Sequence, residues 1–123
     1  MATLNDRVLD NGLTVLDTEA NRVDICSAEP TTYAAATSTL TLGNETSISI
    51  SAPANASPNG RKVTLAAITG ASVTGTGTAT HYAITDTGNS RLLATGALSS
   101  SQAVTSGNTF SLTASDIRIP DPA

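Results

Sequence analysis

One histidine, one cysteine, ten carboxylates and many hydroxyls are the residues that could do chemistry in this chain. Their spacing arranges none of them for it. His81 sits on the strand-like run Thr80 to Ile84, on a face with Ala79 and Ala83. A single histidine cannot build a multi-histidine metal site, and Cys26 adds little. As a general base, His81 would need a positioned nucleophile and an orienting acid, and the sequence names neither. Cys26 ends the apolar stretch Val23-Asp24-Ile25-Cys26 and reads as a buried, inert thiol. Gly70-Ala71-Ser72-Val73-Thr74-Gly75 misses the spacing of a nucleophile elbow by one residue. Gly75-Thr76-Gly77 lacks the lysine and the following helix of a phosphate cradle. Asp6 and Asp10 are one helical turn apart, and Asp17 and Glu19 two residues apart. Such pairs suit a solvated face, and a chain this poor in apolar bulk offers little to raise their pKa. No calcium loop is present. The residues therefore predict no catalytic, cofactor-binding or metal-binding site, and no enzyme.

The elements that hold these residues must be strands. The chain has 123 residues, enough for one core. Leu, Ile, Val and Phe make up about a fifth of it, near the level at which chains begin to look disordered. Charged residues are only 13% and the net charge is −4, so the strong charge of a disordered chain is missing. Thr, Ser, Ala and Gly fill the space, and threonine favours strands while tolerating water on one side. The reading is a folded β protein with a thin core. Burial contributes about 25 cal/mol per Å² of apolar surface, so a monomer of this composition is marginal. Covering more surface against identical copies or a larger lattice would supply the shortfall, which makes a homo-oligomer the expected state.

Thr3 can cap a short helix over Leu4 to Asp10, which Asn11-Gly12 would end. Leu13, Val15 and Leu16 continue as a strand or a second short helix. Arg22 to Ser27 reads as a strand, and Pro30-Thr31-Thr32 opens a helical turn over Tyr33 to Thr37. Ser47 to Ser51 alternates as a strand, with Ile48 and Ile50 on one face, and residues 52–60 form a loop. Further strands are expected over Arg61 to Thr69, Thr78 to Asp86, Arg91 to Leu98 and Thr109 to Ala114, with Ile117 and Ile119 alternating near the end. Gly70 to Gly77 reads as a connection. Turn signals this close predict a mainly β protein, a single antiparallel β-sandwich or small barrel-like domain with a short N-terminal helical or extended segment. The expected division is an acidic amphipathic segment over 1–30 and a β-rich domain over 31–123. Thr87-Gly88-Asn89-Ser90 should turn its central hairpin, with Tyr82, Ile84, Leu92 and Phe110 buried.

The start has neither a basic region nor an apolar run, so no signal peptide is expected. No stretch approaches the ~20 apolar residues of a membrane span. Basic residues are few and scattered, with no aromatic row for stacking bases, so neither nucleic acid nor membrane is an expected partner.

Two runs near the amino terminus resemble the openings of small structural proteins of tailed bacteriophages: Leu4-Asn5-Asp6-Arg7-Val8-Leu9-Asp10-Asn11-Gly12-Leu13 and Ile25-Cys26-Ser27-Ala28-Glu29-Pro30-Thr31-Thr32-Tyr33. The later half is similar too, through Thr80-His81-Tyr82, Leu92-Leu93-Ala94-Thr95-Gly96-Ala97-Leu98 and Gly107-Asn108-Thr109-Phe110. The likeness covers most of the chain and rests on hairpin grammar. It implies a non-enzymatic virion protein, made in a bacterial cytoplasm. A head decoration (cement) protein docking on the major capsid protein comes first. A tail- or fibre-associated module is the alternative station, and a carbohydrate-binding adhesion sandwich the alternative class, with Tyr33 and Tyr82 as its available platforms.

All the net charge falls in the first thirty residues, where Asp6, Asp10, Asp17, Glu19, Asp24 and Glu29 face only Arg7 and Arg22. Apolar Leu4, Val8, Leu9, Leu13, Val15 and Leu16 lie among them. This pattern nominates Leu4, Asp6, Val8, Leu9, Asp10 and Leu13 as partner-docking residues.

Overall fold

A computed structural model describes residues 6–46, 48–57 and 60–119, the side chains of 6–11 and of Ser99 excepted. The mainly β, antiparallel class read from the sequence is the one observed. The described elements are helix α1 (Asp6–Glu19) and strands β1 (Arg22–Cys26), β2 (Thr41–Glu45), β3 (Ala54–Asn55), β4 (Arg61–Leu65), β5 (Ile68–Val73), β6 (Gly77–Asp86), β7 (Arg91–Val104), β8 (Thr109–Leu112) and β9 (Ser115–Ile119).

The division is not the expected one at residue 30. Met1–Glu19, Ser49–Ala67 and Thr113–Ala123 form one compact unit, and Ala20–Ile48 with Ile68–Leu112 form the other. β1 explains the difference. It is paired on both sides, by β2 and β6, and Val23, Ile25 and Cys26 are fully buried. A strand so placed belongs to a sheet interior and not to an arm.

In the first unit α1 packs on β4, in the sheet β3-β4-β9. Leu13 and Leu16, three residues apart, share the helix face that is buried, and Val63 and Leu65 are the buried positions of β4. Gly12 therefore does not end the helix. It lies in the interior, where its missing Cβ would sit 3.6 Å from Ile119 Cδ1. Burying two leucines outweighs the ~1 kcal/mol that an internal glycine costs. The expected strand over Ser47 to Ser51 reduces, among the described residues, to a single bridge between Ile50 and Leu65. Ser51 N donates to Thr64 O, and Ala66 N donates to Ser49 O, each at 2.9 Å.

The second unit is one sheet in the order β7-β6-β1-β2-β5-β8. β7 and β8 stand five strand spacings apart, about 24 Å if the sheet were flat. They are joined by only Thr105 to Asn108, which can span about 18 Å at full extension. Gln102 Nε2 nevertheless donates to Ser111 O at 3.1 Å. The sheet must curl strongly on itself. The same curl lets the short link Thr74 to Thr76 carry the chain from β5 to β6 past two intervening strands. Thr74 N and Gly75 N anchor that link to Leu42 O at 2.8 and 3.1 Å.

One face of the sheet gathers larger side chains, since directly paired residues point the same way. Val23 pairs with Ile84, Ile25 with Tyr82, and Ala71 with Phe110. Two glycines make room for rings. A Cβ on Gly96 would lie 2.6 Å from the Tyr82 ring, and one on Gly43 would lie 3.0 Å from Phe110 Cε1 and 2.6 Å from Ser72 O. Gly43 lies within β2, a strand absent from the expected ones, which runs between β1 and β5. The expected strand from Arg61 to Thr69 divides at Ala66-Ala67 into β4 and β5. The connection expected over Gly70 to Gly77 is largely β5, with Ala71 and Val73 buried.

The hairpin of β6 and β7 turns at Thr87 to Ser90 as expected, with Ser90 in the left-handed region at φ 54. Asp86 holds the turn through both carboxylate oxygens, accepting from Gly88 N at 3.0 Å and Asn89 Nδ2 at 2.7 Å. Of the four residues expected in its core, Ile84 and Phe110 are buried, while Tyr82 and Leu92 are only half-buried. β7 is interrupted twice: Leu93 bulges between the pairs Ile84–Ala94 and Thr85–Leu92, and Leu98 to Ser101 face Thr80 alone.

Candidate functional site

The opposite face of the sheet in the second unit carries Arg22, Asp24 and Cys26 of β1, alternating with Val23 and Ile25. A strap from Ser27 to Leu40 covers them. Thr32 caps its helical turn, its Oγ1 accepting from Ala35 N at 3.0 Å, and Leu40 N closes the turn on Ala35 O at 2.9 Å. Beneath it Cys26, Ala36 and Ala83 form a small buried cluster, flanked by Leu40 and Leu92.

Asp24 is fully buried and fully engaged. Arg22 Nε donates to Oδ1 at 2.7 Å, Arg22 Nη2 donates to Oδ2 at 2.8 Å, and Thr41 Oγ1 donates to Oδ2 at 2.6 Å. Arg22 Nη2 also reaches Thr37 O of the strap at 3.5 Å. The bidentate fork is the strong form of this ion pair, and the hydrogen bond to Asp24 raises the arginine's pKa. Asp24 is thus a structural carboxylate, not part of an acidic docking face. The signal was present in the sequence: arginine and aspartate two apart on one strand point to one face.

Cys26 lies in the same place. Its Sγ is 3.7 Å from Ala36 O, and burial, with the Asp24 charge adding to it, pushes the thiol pKa up to about 12. Thiolate is the reactive form, so the native protein should not react with a disulfide reagent at neutral pH. Unfolding in denaturant should release one thiol per chain. Fast stoichiometric labelling of the folded protein would contradict this placement.

His81 is half-buried and bound locally. Its Nδ1 lies 2.9 Å from Thr80 Oγ1, and its Nε2 is 3.8 Å from the exposed Glu29 carboxylate. Thr80 Oγ1 also donates to Ser27 O at 3.0 Å. Among the described residues no cluster of three His, Cys, Asp or Glu side chains is placed to hold a metal ion. No described helix is long and apolar enough to cross a membrane. Two further carboxylates have their pKa held down by hydrogen bonds: Asp86 first by Asn89, and Asp116 first by Thr64 and then by Lys62, whose Nζ is 3.1 Å away. Tyr82, one of the two sugar-platform candidates, lies against its own Gly96.

Leu4 of the nominated docking set lies outside the described residues. Asp6, Val8, Leu9 and Asp10 fall on the first turns of α1, with side chains outside the described set. Leu13 is a correction: it is 1% exposed and belongs to the helix face turned to its own unit. Val15, 37% exposed, is the large apolar side chain that α1 shows to solvent among the described residues.

A different surface comes forward instead. The stretch Leu92 to Leu98 of β7 is the outer edge of its sheet, and Leu92, Leu93 and Leu98 are only half-buried. Of these leucines the sequence places Leu92 in the hairpin core, because strand order, which makes β7 an edge, is not written in local periodicity. No protein-family model, curated protein or solved structure matches the chain.

Proposed function

We propose that the protein is a non-enzymatic structural component of a tailed-phage virion, a decoration or cement protein that docks on the head lattice of the major capsid protein. The observation that carries this reading is the incomplete cover of its aliphatic side chains: Leu92, Leu93 and Leu98 on β7, and Ile117 and Ile119 on β9, are half-exposed. A free chain holds these positions at a loss of burial that docking on a lattice would restore. The resemblance supports it further, since its three later segments fall on β6, on β7 and on the turn into β8. The charged groups that hold structure, Arg22 with Asp24 and Lys62 with Asp116, hold it within the chain.

The test is add-back. Purified protein is mixed with capsids that lack it and examined by electron microscopy, and ordered density at the three-fold positions is the expected result. Deleting residues 1–10, which keeps Leu13 and Leu16, should leave a folded protein of lower occupancy if the nominated residues ahead of them dock. Density on tails, with bare heads, would assign the tail station. Absence of binding to either would end the virion reading.

A further inference from the structure

We propose that the Leu92–Leu98 stretch of β7 is a pairing edge for a second copy of this chain, which adds its own β7 antiparallel to it. The four sheet edges differ in how they are guarded. β3 is two residues long, between Pro53 and Pro58 in sequence; β8 is four residues long; β9 carries Asp116 and Arg118 and is followed by Pro120. Short strands, charges, prolines and bulges are the usual means of blocking an edge, and of these β7 has only the two bulges, which flank Ala94 to Ala97. β7 is fourteen residues long and uncharged from Leu92 to Val104. Its far end is accounted for, because Gln102 holds it to β8 at Ser111. Up to Leu98 no strand pairs with its outer side among the described residues.

An edge of this kind wants an extended, uncharged segment offering backbone N–H and C=O groups. A loose peptide must be ordered at a cost of about 1–2 kcal/mol per residue. The β7 strand of another copy is already ordered and equally neutral, so two such edges meet without like charges opposed. The bulges at Leu93 and at Leu98 to Ser101 bracket the regular run Ala94 to Ala97 and confine the pairing to this stretch. Four residues of sheet edge, about 14 Å long and about 10 Å deep, cover on the order of 140 Å² per copy. A stable dimer needs about 800 Å² per partner. The contact is therefore weak alone, with a dissociation constant on the order of 0.1–1 mM, and fills where copies are held close together. It is independent of which lattice, if any, supplies that closeness.

Sedimentation equilibrium of the full chain from about 20 µM to about 1 mM should show a monomer passing to a dimer, as the affinity above requires. Amide exchange at residues 94–97 should slow over the same range. Ala97 is exposed, so Ala97→Lys should keep the fold and reduce the dimer fraction several-fold. Ser111→Lys, an equally exposed site on β8, should leave it unchanged. A chain that stays monomeric at 1 mM overturns the proposal. So does undiminished association of a folded Ala97→Lys, or loss of association in Ser111→Lys alone. If Ala97→Lys does not fold, the concentration-dependent exchange of the unaltered chain decides.

Discussion

Replacing Phe110 with alanine is expected to cost about 3–5 kcal/mol, measured as a lower midpoint in urea. Phe110 is buried and directly opposite Ala71. Its ring lies over Gly43, whose absent Cβ would stand only 3.0 Å from it. These two neighbours are thus among the smallest residues available, and neither can move in to fill the space the ring leaves. Cavities that cannot collapse fall at the upper end of such losses. A loss below about 1 kcal/mol would mean that the ring does not anchor β8 to β2 and β5.

Arg22→Ala is expected to be comparably severe, about 3–5 kcal/mol, because it leaves the Asp24 carboxylate buried without its counter-charge. Of the hydrogen-bond partners of Asp24 described above, only Thr41 would remain. The guanidinium is itself 21% exposed, which favours the lower end of that range. The double variant Arg22→Ala with Asp24→Ala should be less damaged than the single one, since the stranded charge is then gone. Urea denaturation of both variants gives the comparison. A double variant as unstable as the single one, or more so, would show that packing under the strap, and not the ion pair, holds β1 there.

The hairpin of β6 and β7 was legible because its signals are local: alternation on two runs about Thr87-Gly88-Asn89-Ser90. The helical turn behind Thr31-Thr32 was legible for the same reason. What misled was glycine. Gly12 reads as a helix end, yet it lies mid-helix where another part of the chain, Ile119, comes close, and Gly43 lies within β2, for which the sequence offered no reading, under the Phe110 ring. Proximity of that kind is set by pairing between distant strands and leaves no mark on a short window. The charge tally behaved similarly. Asp24 counted toward an acidic surface although Arg22, two residues earlier, neutralises it inside the protein. The docking set suffered from the same blindness at Leu13, where helical spacing shows that a face is apolar but not what covers it.

The strand order also fixes when folding can finish. β1 pairs with β6, β2 with β5 and β4 with β9, so most ladders join segments far apart in the chain. Contacts so distant in sequence close loops before they return any stability, and sheets built of them form slowly. The centre of the larger sheet opens with β1, yet β1 lacks one neighbour until β6 has been synthesised. The helix rests on β4, whose outer partner β9 comes more than fifty residues later. On a ribosome adding about 5–20 residues per second, the apolar side of β1 waits seconds for its cover. In that interval a nascent chain carries an open strand, apolar from Val23 to Cys26 but for Asp24, and the carboxylate that later locks the finished sheet is what keeps that strand wet.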